Sequence, residues 1–200
     1  MKHNRRHVFS NYAIGRLFFA VCLTFGFGMS HAATMPPRLT PKALYSELAH
    51  ATWIANGHGP KVVYEFFDPN CPYCNLMFHI FLPRIAPNHL TVREVPVGYL
   101  TPTSMGKAAA ILEAKDRLKA YMYNETHYSF ITGGGLVPKA PNSQTRNELD
   151  HNLKLVEAAV GYPIVPVLVY QKTNGKVVVM NAGVPTAVEL TKIFPTIKGQ

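Results

Sequence analysis

Only three cysteines occur in 200 residues, and one of them, Cys22, sits in an apolar stretch near the N-terminus. So few exclude a disulfide-stapled scaffold, and the absence of a second cysteine pair excludes a four-cysteine metal site. Tryptophan occurs once, and no basic run, finger or aromatic stacking motif is present, so nothing marks a nucleic-acid binder. Acidic residues are scarce, 11 Asp+Glu against 20 Lys+Arg. There are no repeats and no low-complexity stretches. Long apolar runs are also missing: the longest, Leu17 to Met29, falls short of the roughly 20 residues a spanning helix needs.

That run has a function of its own. Lys2, Arg5, Arg6 and Arg16 precede it, and Ser30-His31-Ala32 follows. A basic region, an apolar core and a small-x-small end form a secretory signal cut after Ala32. A lipoprotein fits poorly because Val21 stands before Cys22 where a small residue is needed. Removing residues 1–32 takes Lys+Arg from 20 to 16 against an unchanged 11 Asp+Glu, a net charge of +5. This is a mild excess that favours solubility. Two cysteines then remain, Cys71 and Cys74. A disulfide closing so short a loop staples almost nothing, so the pair is there for chemistry.

With 48% apolar residues, the rest of the chain suits one domain. Thr40-Pro41 opens a helix with Leu44, Leu48 and Ala51 on one face and Gly57 beyond its end, so residues 33–59 read as an N-terminal linker helix. The domain proper spans 60–200. Lys61 to Phe67 is a buried strand, and Pro72 begins a helix that ends or kinks near Pro83. Leu90 to Val97 is a second strand. A helical segment of about 100–160 follows: a helix capped by Ser104 and running to about Tyr121, an irregular stretch from Asn124 to Thr145, and a helix from about Arg146 to Val160. Val165 to Gln171 and Lys176 to Asn181 form a hairpin about Thr173-Asn174-Gly175, and Thr186 to Phe194 closes as a helix. Strands alternating with helices give an α/β domain around a mixed sheet.

Cys71-Pro72-Tyr73-Cys74 carries the chemistry. A strand ending in a turn places Cys71 at a helix N-terminus, where unpaired N–H groups and the helix dipole favour a thiolate. Pro72 at the first helical position forfeits no hydrogen bond. Cys74, one turn on, lies deeper and close enough to resolve a mixed disulfide on an exposed Cys71. Half a zinc site is the rival, but His79 projects from roughly the opposite helix face and reads as a surface or packing residue. Gly133-Gly134-Gly135 lacks the ending of a phosphate loop and reads as a flexible loop. The aromatics Tyr121, Tyr123, Tyr128 and Phe130 read as core of the helical segment, with a peptide-binding rim as the alternative.

Glu65 lies inside the apolar strand KVVYEFF. Either it points to solvent, or it is buried beneath the dithiol, where it would have a raised pKa and could take the proton of Cys74. The isomer of the Val165–Pro166 bond is open from the residues alone.

The motifs FFDPNCPYC, AAAILEAKD (108–116) and VPVLVY, with the helical segment and the closing hairpin-helix, resemble the periplasmic disulfide isomerases of the DsbC/DsbG family, nearest in pattern to DsbG. The resemblance runs from about Glu47 to Phe194. It implies a thioredoxin-like fold with a helical segment inserted between the CxxC helix and the cis-proline strand. It also implies a redox-active Cys71–Cys74 dithiol and a cis bond before Pro166, in a loop that packs on the dithiol and meets the bound substrate chain. The candidate catalytic residues are thus Cys71, Cys74, Pro166 and Glu65, with Pro72, Tyr73 and Val165 at the substrate.

The expected activity is reduction or isomerisation of disulfides in exported proteins, in the periplasm, with no metal or organic cofactor. A membrane-bound redox partner would reset the dithiol. Two residues depart from the isomerase pattern and resemble the DsbA oxidases instead: Glu65 six before Cys71, and Val165 before the proline. A DsbA-like oxidase is therefore the alternative, and a peptide-binding chaperone or assembly factor the alternative of another class. About fourteen residues separate the cleavage site from Glu47, too few for the family's N-terminal dimerisation domain, so a monomer is expected.

Overall fold

The computed structural model describes residues 38–181 and 183–200, which fall in one compact unit. The signal sequence and its cleavage site lie outside the described residues.

Thr40 caps helix α1 (Pro41–Glu47), its hydroxyl accepting the N–H of Ala43 at 3.2 Å. Strand β1 (Ile54–Gly57) leads to β2 (Lys61–Phe67), and helix α2 (Pro72–Phe81) follows, with Pro83 in a 3₁₀ turn at its end. Strand β3 (Leu90–Pro96) precedes three helices, α3 (Ser104–Leu112), α4 (Arg117–Thr126) and α5 (Ser143–Val160). Strands β4 (Val167–Gln171) and β5 (Val177–Met180) form the hairpin, and α6 (Ala187–Ile193) follows with a reciprocal Thr186–Glu189 cap.

The five strands lie in the order β1-β3-β2-β4-β5. β2 and β3 are parallel and every other pair is antiparallel. Both faces are covered, which is why β2 reads as apolar almost throughout. On one face Val62, Tyr64, Phe66, Val95 and Val169 pack with Leu44 and Leu48 of the α1 region and with Val156 of α5. On the other, Val63, Val92, Leu168 and Tyr170 pack with Met77 and Phe81 of α2 and with Leu190 and Phe194. Tyr121 of α4 caps that second face near the CxxC end, edge-on to Phe67 and Phe78 at 4.9 and 5.7 Å. Buried Asn152 of α5 donates to the carbonyls of Thr52 and Pro96, both at 2.9 Å, tying the helix to the sheet.

Four expectations need correction. Residues 33–59 are not simply a linker helix, since Ile54–Gly57 is an edge strand of the sheet and Leu44 and Leu48 are core. The single helix expected from Ser104 to Tyr121 is two helices. Asp116 caps the second through the Lys119 N–H at 2.9 Å, and Glu113 turns out to Asn142 and Lys139. Ser104 is not the cap of α3, which Thr103 precedes; it is fully buried and bonded to Asp68. Of the four aromatics expected in the core, only Tyr121 is buried, while Phe130 is 91% exposed.

Candidate active site

The site is built where β2 hands over to α2. Asp68, the first residue past the strand, is buried and accepts four hydrogen bonds. Oδ1 takes the Asn70 N–H and the Ser104 hydroxyl, and Oδ2 takes the N–H groups of Tyr99 and Leu100, all at 2.7–3.0 Å. These bonds fold the Asp68-Pro69-Asn70 turn and lock it to the chain beyond β3. Asn70 is held from both sides. Its Nδ2 donates to Thr101, Thr103 and Ser104, and its Oδ1 accepts from the Lys107 ammonium at 2.9 Å and the Gly134 N–H at 3.2 Å.

Lys107 is itself buried, its other two protons going to the carbonyls of Thr132 and Gly134 at 2.6 and 2.7 Å. Gly133-Gly134-Gly135 is therefore not a flexible loop. A side chain on Gly134 would begin 2.1 Å from Asn124 Nδ2, and Gly133 has φ +72° with Asn70 Oδ1 equally near. The glycines let the backbone close on the residue next to Cys71. Asp68, Asn70 and Lys107 went unread as site residues. Asp68-Pro69 was visible as part of the motif, but nothing in the sequence marks a helical lysine as buried.

This turn sets Cys71 as the N-cap of α2. Its Sγ accepts the Cys74 N–H at 3.2 Å and lies 3.8 Å from the carbonyl oxygen of Val165. The Val165–Pro166 peptide is cis and brings that carbonyl over the dithiol. Cys71 is accordingly not the exposed thiol expected; at 3% it is nearly as covered as Cys74 at 2%.

The two sulfurs still differ. The Cys71 thiol is held below the ordinary cysteine range, first by its hydrogen bond with the Cys74 side chain, then, against burial, by the Cys74 and Tyr73 N–H groups. Cys74 is pushed well above it, first by burial, then by its bond to and the charge of Cys71, and by Glu65. Both are free thiols. Pro72 and Tyr73 stand out from the surface, Tyr73 being 63% exposed. Tyr73, Leu76, Ile164, Val165, Pro166 and Val184 line a groove of about 510 Å³ beside the dithiol.

Glu65 is buried at 1%, and neither carboxyl oxygen has a hydrogen-bond partner. Its pKa is driven well up, first by burial, then by the charges of Glu94, Glu125 and Cys71. Glu94 and Glu125 are two further buried carboxyls that sequence reasoning missed. Burial raises Glu94 to about 8 against hydrogen bonds from Asn56 and Tyr121, and Glu125 to about 7 against those from Asn75 and Asn124. The structure thus brings Cys71, Cys74, Val165 and Pro166 together, with Pro72 and Tyr73 at the rim and Glu65 in the floor.

No protein-family model matches the chain. Two proteins named thiol:disulfide interchange protein DsbG do. The Pseudomonas aeruginosa protein is 31% identical over 155 residues, covering 76% of this chain and 59% of its own. The Escherichia coli protein is 29% identical over 134 residues, covering 64% and 52%. The chain therefore spans little more than half the length of these relatives. Among solved structures, Proteus mirabilis ScsC in a transitional conformation superposes with a TM-score of 0.61 at 16% identity, over 80% of each chain. The sequence and the architecture agree: the chain is a homologue of the DsbG thiol:disulfide interchange proteins, built on a thioredoxin-like fold with helices inserted before the cis-proline strand.

Proposed function

We propose that the chain is a thiol–disulfide oxidoreductase that reduces or isomerises disulfides of exported proteins in the periplasm. One observation carries this reading above the others: a helix-capping Cys71 thiol with lowered pKa, one turn from Cys74 and under the carbonyl of a cis-proline loop. Cys71 thiolate attacks a substrate sulfur, forming a mixed disulfide and releasing the other substrate sulfur as thiolate. Cys74 then loses its proton to the buried Glu65 carboxylate and attacks Cys71, closing the intramolecular disulfide and freeing the second substrate thiolate. The groove lined by Tyr73, Leu76 and Val165 suits an extended, apolar stretch of substrate beside the sulfur. A membrane-bound partner returns electrons to the dithiol, and the mature protein, begun after Ala32, acts as a monomer.

The buried Glu65 favours a second reading, that of a DsbA-like oxidase donating its disulfide. The reduction potential of the dithiol against glutathione separates the two. A potential between those of thioredoxin and the strong oxidase fits the isomerase reading, and one at the oxidase end selects the alternative. Loss of insulin reduction and scrambled-ribonuclease refolding on Cys71→Ser is expected. Full activity of that variant would leave only the role of a peptide-binding chaperone.

A further inference from the structure

The mechanism above uses one buried carboxyl, Glu65, and leaves its neighbour unexplained. In the parallel β2–β3 ladder Glu65 is the register partner of Glu94, so their Cα atoms sit about one strand spacing apart, roughly 4.8 Å, with both side chains on the same sheet face. Both residues are 1% exposed. Neither oxygen of Glu65 has a hydrogen-bond partner; Oε1 of Glu94 accepts from Asn56 Nδ2 at 3.3 Å, and the Tyr121 hydroxyl is the other donor beside that carboxyl.

Among the described residues no cation faces them. From α4 come Tyr121 and Glu125, from the start of α2 Cys71 and Cys74, from β1 the neutral Asn56, and from β4 Leu168. Asp68, beyond β2, adds only negative charge and spends all its bonds on the turn. Two adjacent carboxyls in such a place cannot both ionise without several kcal/mol of uncompensated desolvation and repulsion. Protonation is the remaining way to satisfy them: a carboxylic acid on one supplies the donor that the other's bare oxygens lack.

We propose that Glu94 is a positioning residue of the resolving step: it shares one proton with Glu65 across the two strands, and so decides how readily Glu65 takes the proton of Cys74. This rests on the oxidoreductase reading above. In the step itself the Cys74 proton passes to Glu65 carboxylate. The Cys74–Cys71 bond forms, the bond from Cys71 to the substrate sulfur breaks, and that sulfur leaves as thiolate. Charge on Glu94 opposes charge on Glu65, so removing Glu94's ability to ionise frees Glu65 to act as a base at lower pH.

The test is stopped-flow reaction of the full reduced protein with dithiobis(nitrobenzoate) from about pH 5 to pH 9, in wild type, Glu94→Gln and Glu65→Gln. The first, concentration-dependent release of thionitrobenzoate reports attack by Cys71. The second, concentration-independent release reports attack by Cys74. In Glu94→Gln the pH limb of the second phase is expected to move to lower pH by about one unit, and in Glu65→Gln that limb is expected to vanish. An unmoved or alkaline-shifted limb in Glu94→Gln, or a limb that survives in Glu65→Gln, overturns the pairing. Absence of the first phase in wild type instead overturns the oxidoreductase reading itself. Infrared titration of the wild-type protein needs no variant: a protonated-carboxyl band persisting to neutral pH is expected, and its absence overturns the proposal.

Discussion

Glu65 should cost the fold stability, and replacing it with leucine should return that stability. The side chain is 1% exposed with both oxygens unpartnered, flanked along its strand by Val63 and Phe67 and opposite Leu168. A buried polar group without a partner costs about 1–3 kcal/mol, and a leucine of similar size adds apolar contact in its place. The gain depends on pH, and its sign follows from the raised pKa. An acid that ionises at higher pH in the folded state than in the unfolded state binds more protons when folded. Its penalty is absent below the ordinary carboxylate range and grows as pH rises towards the folded value.

Glu65→Leu should therefore be more stable than wild type by about 2 kcal/mol at neutral pH, roughly 4–8 °C in Tm for a domain of this size. The difference should be smaller near pH 4 and larger at pH 8. Urea and thermal unfolding of the reduced proteins across that range would measure it. Destabilisation at pH 8 would refute the reasoning, since it would mean that the carboxyl gains more from its neighbours than its burial costs. The same variant should resolve mixed disulfides slowly, a trade of activity for stability.

Three further outcomes are expected. Iodoacetamide should label reduced protein at Cys71, at a pH below that of an ordinary thiol, because the shifts of the two sulfurs run in opposite directions; peptide mapping that finds Cys74 labelled first would reverse the assignment. Lys107→Met should destabilise the fold by about 2–4 kcal/mol, since it strips a donor from Asn70 Oδ1 and from the carbonyls of Thr132 and Gly134; unfolding midpoints unchanged in denaturant would contradict this. Val165→Thr adds a hydroxyl to the residue whose carbonyl lies 3.8 Å from the Cys71 sulfur and should raise isomerase activity, measured by scrambled-ribonuclease refolding; an unchanged rate would remove Val165 from the determinants of direction.

What could be read in advance followed from local rules. β2 was visible because a strand with six of its seven residues buried leaves no polar alternation, and its bounds match those read from the sequence. The α2 start was visible because proline is favoured at a first helical position and the motif names its own cap. β1 was hidden because Ile54-Ala55-Asn56-Gly57 is short and weak in strand formers, and only pairing with β3 makes it a strand. The break between α3 and α4 was hidden because Glu113-Ala114-Lys115 are good helix formers; a distant partner, Lys139, draws Glu113 outward. Burial of Lys107, Glu94 and Glu125 and the closeness of the glycine loop are consequences of tertiary contact. A helical lysine or a strand glutamate ordinarily faces water, so local pattern favours the wrong answer.

The grip on Asn70 bears on how this protein could be engineered. Cutting residues 101–142 from the chain looks like a route to a minimal redox module, since the sheet and the CxxC helix would remain. Yet every side-chain partner of Asn70 and the hydroxyl on Asp68 come from that stretch: Thr101, Thr103, Ser104, Lys107 and, through its backbone, Gly134. The inserted helices are thus not an accessory fastened to a self-sufficient enzyme. They are the outer half of the mould in which the residue before Cys71 is cast, and a trimmed or swapped insertion must carry those five residues with it.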